Sequence, residues 1–528
     1  MRHCKLAMNQ RGGRSRAVAL LCGLLITACD GVDENRGDLD APALQAPSVT
    51  VGATVLTGTR DEGGTAAFLG IPFAQPPVGD ARWRPPMPRP FDSGVLDATA
   101  FAPACLQSGS GLSWYHGMMA RVGVDPSLMT APAYSEDCLY LNIWTDGSLP
   151  GPKPVLLFIH GGSNTGGWSY EPNYHGGPLA RQGAVVVTVA YRLGVFGWMH
   201  HPDMARANLG LLDLALALDW VYQHIGAFGG DPGRITVSGE SAGAANALHL
   251  AISPLSRDRI RGVIHQSGGW PVTGGPTPEQ AADRALALQQ QLLGADGSLE
   301  KLRALPAEAL IAATPEVYRG VRFGALQDDE SLPRTLQQRV RDGDLPPLDM
   351  IIGSNANESL MYIRPGDTAA AYLKERLPEE SWPEVLGSFE DDASEQSILD
   401  RLGTGLTFLC PSLTLADAIS RSGGRAWVYR FDRVRPGFAS IGAYHGAELP
   451  YVFDRHDDWL PMEPVDRALT ETLVDYWKGF ISRGDPNGQG VPEWPVWETE
   501  GQQAVIFSDA SKVMTHPDLA FCELLSER

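Results

Sequence analysis

Six apolar, β-rich runs recur along the chain with helical patterns between them, and this alternation restricts the fold more than any other feature of the sequence. The runs are Val155–Ile159, Ala184–Ala190, Ile235–Ser238, Gly262–Gln266, Met350–Ile352 and Ala426–Phe431. Continuous apolar runs of this kind suit strands that are covered on both faces of a mostly parallel sheet. Between them, 208–225 places Leu211, Leu214, Leu218 and Val221 on one helical face. A second helix is expected after Ser241, through Ala242, Ala245, Leu248 and His249. Strand–helix alternation over this length predicts an α/β doubly wound sheet. The stretch 271–348 differs, with Pro/Ala/Leu-rich helices and no clear strand. It falls between two sheet strands and is expected to form a helical cap over their carboxyl ends. Residues 48–528 read as one domain, without internal repeats. A formal net charge of −20 argues against a nucleic-acid partner, whose footprint is a basic patch.

The N-terminus reads as a targeting segment. Residues 1–28 carry Arg2, Lys5, Arg11, Arg14 and Arg16, no acid, and then the apolar run Ala17–Ala28. A basic start followed by an apolar stretch too short to span a bilayer predicts a secretory signal. The run ends Ile26-Thr27-Ala28-Cys29. This resembles a bacterial lipoprotein signal, which implies lipidation of Cys29 and export to a membrane facing the periplasm or the outside. Asp30 is similar to an inner-membrane retention signal. Residues 29–47 are acidic and free of aromatics, as expected of a flexible tether. Beyond Cys4, Cys22 and Cys29 four cysteines remain: Cys105, Cys138, Cys410 and Cys522. None has CxxC spacing. An oxidising compartment makes two disulfides plausible, and four cysteines allow three pairings.

The chemistry centres on Gly239-Glu240-Ser241-Ala242-Gly243, a G-x-S-x-G that follows one apolar run and opens a small-residue helix. That is the context of a nucleophile elbow, where glycines flank the serine because strand and helix pass close together. A serine hydroxyl needs a base, an acid to orient the base, and donors for the oxyanion. His160-Gly161-Gly162-Ser163-Asn164 follows Val155–Ile159 and is similar to an H-G-G-G oxyanion loop. No G-K-[ST] follows it, so a phosphate-binding P-loop fails, and no H-E-x-x-H occurs. No metal and no cofactor are expected. Glu358 lies just after Met350–Ile352, and His445 lies in the loop after Ala426–Phe431. Both are expected at the carboxyl edge of the sheet, where ligands bind.

Further motifs run in order through the chain: Pro77-Val78-Gly79 with Arg82–Pro85, Ser135–Asn142, Tyr191–Gly194, Asn208–Asp213, Phe228–Pro232, His265–Gly268, Gly353–Glu358 and His445–Leu449. With the elbow and the glycine loop, they resemble the type-B carboxylesterases, the cholinesterase-like family of the α/β-hydrolase superfamily, over residues 48 to 522. The resemblance implies a Ser241, Glu358, His445 triad and hydrolysis of carboxylic esters through an acyl-enzyme. It implies backbone oxyanion donors at Gly162, Ser163 and Ala242, with Ser163 standing where the family commonly has a third glycine. It also implies a supporting role for Ser267 beside the acid, and disulfides Cys105–Cys138 and Cys410–Cys522. Trp270 is either a wall of the acyl pocket or a packing residue. Cholinesterases carry a tryptophan choline platform ten residues before the cysteine of Ser135–Asn142, where this chain has Leu128. Neutral esters are therefore expected to be preferred over choline esters.

The expected function is a serine carboxylesterase acting on a small-molecule ester and anchored to a membrane by lipid. The rival readings are another acyl hydrolase, such as an amidase or a polyester-detoxifying esterase, and a non-catalytic cholinesterase-like binding module. The intact Ser241, Glu358 and His445 weigh against the last. Activity is expected to fall as His445 protonates, near the ordinary histidine value of about 6.5.

Overall fold

The computed structural model describes residues 45–108 and 110–526. The signal segment 1–28, Cys29, Asp30 and nearly all of the tether lie outside the described residues.

Eleven strands build one sheet. In chain order they are β1 (Thr59–Arg60), β2 (Ala66–Pro72), β3 (Tyr140–Thr145), β4 (Lys153–Ile159), β5 (Val185–Val189), β6 (Gly230–Glu240), β7 (Gly262–Gln266), β8 (Asp349–Asn355), β9 (Arg425–Phe431), β10 (Gln503–Phe507) and β11 (Lys512–Thr515). Their spatial order is β11-β10-β9-β8-β7-β6-β4-β5-β3-β2-β1. The pairs from β5 to β10 are all parallel. The flanks are antiparallel, at β5/β3, β3/β2, β2/β1 and β10/β11. All six apolar runs fall inside the parallel block. The edge strands escaped that pattern because they are short or mixed in polarity.

Alternation along the central strands explains the apolar runs. On β4, Val155, Leu157 and Ile159 enter one core cluster, while Leu156 and Phe158 enter the cluster on the opposite face. On β8, Met350 and Ile352 face one cluster and Ile351 the other. Successive strand residues point to opposite faces, so a strand covered on both sides must be apolar throughout. Truncating one such buried leucine to alanine costs about 2–5 kcal/mol.

The helix expected at 208–225 spans Leu209–His224, and the one after Ser241 spans Ala242–Ile252. Residues 271–348 hold the helices Pro278–Leu293, Leu299–Arg303, Ala307–Val317 and Leu336–Asp342, and no strand. This is the cap segment. Side chains of the sheet body reach its backbone. Arg82 donates to Arg303 O and Leu305 O at 2.7 Å each, and Asn208 Nδ2 donates to Leu326 O at 2.8 Å. Cys105 is disulfide-bonded to Cys138, and Cys410 to Cys522.

The strand order reverses at β4: β5 lies on one side of it and β6 on the other. A crevice opens beyond the carboxyl ends of strands at such a switch point. The glycine loop that follows β4 and the serine that follows β6 meet there.

Candidate active site

Ser241 sits between β6 and the helix Ala242–Ile252 with φ 56° and ψ −128°. A non-glycine residue in that region stores about 1–3 kcal/mol of strain, which the surrounding structure must hold. The holding is steric. A Cβ on Gly243 would lie 2.0 Å from Ile159 O, and one on Gly239 would lie 2.3 Å from the Gly243 carbonyl carbon. A Cβ on Gly161 would meet Glu240 Oε2 at 2.7 Å and Ser241 Cβ at 3.0 Å. The Ser241 N–H donates to Gln266 O of β7 at 2.8 Å, fixing the turn against the next strand.

The loop after β4 is left-handed at Gly162, Ser163 and Asn164, with φ of 97°, 57° and 58°. Ser163 therefore adopts the conformation that a third glycine would take, and its side chain is exposed to the cavity. Asn164 pins the loop from both ends of its side chain: Asn246 Nδ2 donates to its Oδ1 at 2.8 Å, and its Nδ2 donates to Phe323 O at 3.0 Å. Ala242 is the first residue of its helix, and a first-turn N–H has no intrahelical acceptor. Gly162, Ser163 and Ala242 all line the cavity that holds Ser241.

Glu358 and His445 come from loops after β8 and β9, 87 residues apart in sequence. Glu358 is fully buried. Its Oε2 lies 2.6 Å from His445 Nδ1, and its Oε1 accepts from Ser267 Oγ and from the Asn355 N–H, both at 2.6 Å. Ser267 thus orients the carboxylate that faces the imidazole. His445 Nε2 lies 3.2 Å from Glu240 Oε1, and Phe408 covers the ring at 4.8 Å. Ser241 and His445 line the same cavity, of about 500 Å3.

Three further buried carboxylates surround this cluster. Burial pushes Glu240 up to about 8, against the lowering effect of His445. Burial also raises Glu448, whose oxygens accept from Gln266 Nε2 at 3.0 Å and Asn355 Nδ2 at 2.6 Å. Glu171 is pushed up to about 7 by burial, although the Trp168 N–H and the Tyr115 hydroxyl both donate to it at 3.0 Å. Burial by itself would lower His445, but Glu240 and Glu358 outweigh it and hold the imidazole at about 9. This corrects the expectation of an ordinary histidine value near 6.5. That expectation took the unperturbed imidazole value, and the fold places two carboxylates against the ring.

Leu128 is 75% exposed, and among the described residues it lines neither cavity named here. Aromatic surface comes instead from Trp114 and Tyr115, on the helix Ser110–Arg121, which line the cavity beside Glu171. Trp270 also lines it and meets Phe408 edge-on at 5.9 Å. Glu240 and Glu448 were legible as the variable letters of GESAG and HGAEL. Glu171 and the cap residue Arg322, which also lines the cavity, carry no local sequence signal. Among the described residues no group of three or more His, Cys, Asp or Glu side chains is placed to hold a metal ion.

The geometry has clear relatives. A family model described as the carboxylesterase family matches residues 45–524. The para-nitrobenzyl esterase of Bacillus subtilis is 32% identical over 481 residues, covering 87% of this chain and 94% of that protein. The fumonisin B1 esterase of Sphingopyxis macrogoltabida is 33% identical, covering 84% of this chain and 83% of that protein. Among solved structures, a PNB esterase superposes with a TM-score of 0.79 at 30% identity, over 91% of this chain and 100% of that one. A carboxylesterase of Geobacillus stearothermophilus gives a TM-score of 0.78 at 31% identity, over 90% and 99%. The chain belongs to the carboxylesterase family, has the α/β-hydrolase fold and is a carboxylic ester hydrolase.

Proposed function

We propose that Ser241 is the nucleophile, His445 the general base and Glu358 the acid that orients it. What supports this is one convergence: a strained serine, a histidine bonded to a buried carboxylate, and backbone N–H groups of Gly162, Ser163 and Ala242 around a single cavity. The Ser241 oxygen attacks the ester carbonyl while its proton passes to His445 Nε2. The negative charge that develops on the carbonyl oxygen is met by the three N–H groups. His445 then gives the proton to the leaving alcohol. A water deprotonated by the same imidazole releases the acid from Ser241. The Glu358 carboxylate offsets the charge on the imidazolium. Ser241→Ala is expected to reduce hydrolysis of a simple alkyl ester by about 10⁴-fold or more with an unchanged melting temperature. Near-normal turnover by the folded variant would overturn the assignment.

The same proposal extends to location. The basic start, the apolar run ending at Cys29 and the two disulfides support an exported protein held to a membrane by a lipid on Cys29. Intact-mass analysis of the membrane fraction tests it, and an unmodified Cys29 there would refute the anchor.

A further inference from the structure

We propose that Arg322, on the cap, binds a carboxylate carried at the far end of the substrate's acyl group, so that half-esters of dicarboxylic acids are favoured substrates. The inference rests on the esterase reading above and adds the substrate class to it.

The cavity mixes charges in its lining. Trp114, Tyr115 and the buried Glu171 line it, and so do Trp270, Arg322 and Phe323. The same three residues border a second, wider cleft of about 1550 Å3, which extends over the cap helices. Arg322 therefore stands where the inner cavity opens into the outer one.

Its guanidinium is not committed elsewhere. Three buried arginines each grip an acid: Arg82 holds Glu136 at 2.6 Å, Arg192 holds Asp213 at 2.6 Å, and Arg433 holds Asp466 at 2.8 Å. Among the described residues no carboxylate lies within ion-pair distance of Arg322. It lies over the Trp270 ring, 5.7 Å from the centroid. Loss of water around it lowers its pKa, Tyr372 partly offsets this, and Arg376 adds to it. Arg322 is exposed and has no counter-ion among the described residues, so its guanidinium can meet an incoming carboxylate directly.

The backbone on either side of Arg322 is held in place. On its C-terminal side, Phe323 O accepts from Asn164 Nδ2 of the glycine loop at 3.0 Å, and the Phe323 ring stacks on Tyr318 at 4.6 Å. On its N-terminal side, the Val321 N–H donates to Tyr318 O at 3.0 Å. Trp270, beneath the guanidinium, meets Phe408, and Phe408 lies against His445. The rings form an apolar floor from the imidazole to the guanidinium, suited to a methylene chain with a charged end.

The lining favours one partner for an anionic arm. Glu240 and Glu171 offer it no cation, which leaves Arg322. Glu279, Asp283, Asp328 and Asp329 line the outer cleft. Asp328 is already engaged, accepting from Asn208 Nδ2 and the Glu330 N–H. The net charge of −20 slows the approach of an anion, but salt screens that field within about 8 Å. A direct guanidinium contact acts inside that distance.

The test uses the full chain and two matched series. One holds monoethyl esters of straight-chain dicarboxylic acids from succinate to suberate. The other holds ethyl esters of monocarboxylic acids of the same chain length. At one or more lengths kcat/KM is expected to favour the carboxylate-ended ester by about tenfold or more, the weight of a charge-assisted hydrogen bond. Arg322→Gln abolishes the preference and Arg322→Lys restores part of it. The preference is a ratio within each variant, so partial loss of folded protein cancels. Cleavage of the neutral series without preference at any length overturns this inference alone, as does a preference unchanged in Arg322→Gln. Cleavage of neither series overturns the esterase reading, and this inference with it.

Discussion

The carboxyl edge of the sheet and the cap above it are built by different rules. At the edge, the backbone is fixed by contacts that admit one residue type. Gly239, Gly243 and Gly161 have no room for a Cβ, and Ser241 is left strained between them. The polar groups are buried and mutually bonded, from Ser267 through Glu358 to His445. The cap is made of short helices with ordinary ends. Thr277 and Gln280 form a capping box, as do Thr335 and Gln338. It buries Leu288, Leu302, Leu310 and Leu336 in the core cluster shared with the sheet, and side chains such as Arg82, Asn164 and Asn208 reach its backbone. In the proposed mechanism, reaction at Ser241 depends on positions fixed to a fraction of an ångström, and that demand writes motifs into the sequence. A cap needs only helical propensity and attachment, which leaves it free to vary the wall presented to a substrate.

The contrast is broken most sharply at Glu358. Glu358→Gln is expected to lower kcat by about 10⁴-fold with little change in melting temperature, because the imidazolium loses its counter-charge. If activity per folded molecule survived while stability fell, Glu358 would belong to the scaffold instead. A large effect of the opposite kind is expected at Asp213, which is fully buried and paired twice with Arg192. Asp213→Ala leaves a buried guanidinium unpaired and should cost about 3–5 kcal/mol. Urea titration measures this, and the variant that remains folded should keep its kcat.

The cap gives a smaller effect. Asn208 binds both the N–H and the carbonyl of Leu326. Asn208→Ala should destabilise the cap by about 1–3 kcal/mol, read as faster proteolytic nicking within 271–348 at nearly unchanged turnover of a small neutral ester. Nicking in the sheet body at the same rate would show that cap and body open as one unit.

The smallest effect sharpens the edge itself. His445 must be neutral to accept the Ser241 proton, and Glu240 and Glu358 hold its pKa up at about 9. The protonated form therefore persists to higher pH, and kcat/KM should rise with pH through a midpoint above 6.5. Glu240→Gln removes one of the two charges and should move that midpoint down by about one unit. An unmoved midpoint would leave Glu358 as the sole cause.

Much of this protein was legible because its constraints are local. A strand buried on both faces has to be apolar throughout, so Val155–Ile159 and its counterparts announced the parallel block. A strand that turns straight into a helix over a serine has to carry glycines, so 239–243 announced the elbow. The edge strands were not legible, since Thr59–Arg60 and Lys512–Thr515 are short and half-exposed.

The sequence by itself determined the alternating α/β architecture, the serine at its turn and the residues able to serve it, because each depends on neighbours a few positions away. Only the tertiary structure decided what surrounds them. It brought Glu240 to 3.2 Å from His445 and so raised the imidazole, and it placed Glu171 and Arg322 in the lining of one cavity. Those outcomes depend on distance and burial between residues tens to hundreds of positions apart. Electrostatic interaction strengthens as water is excluded and charges approach, and spacing along the chain records neither.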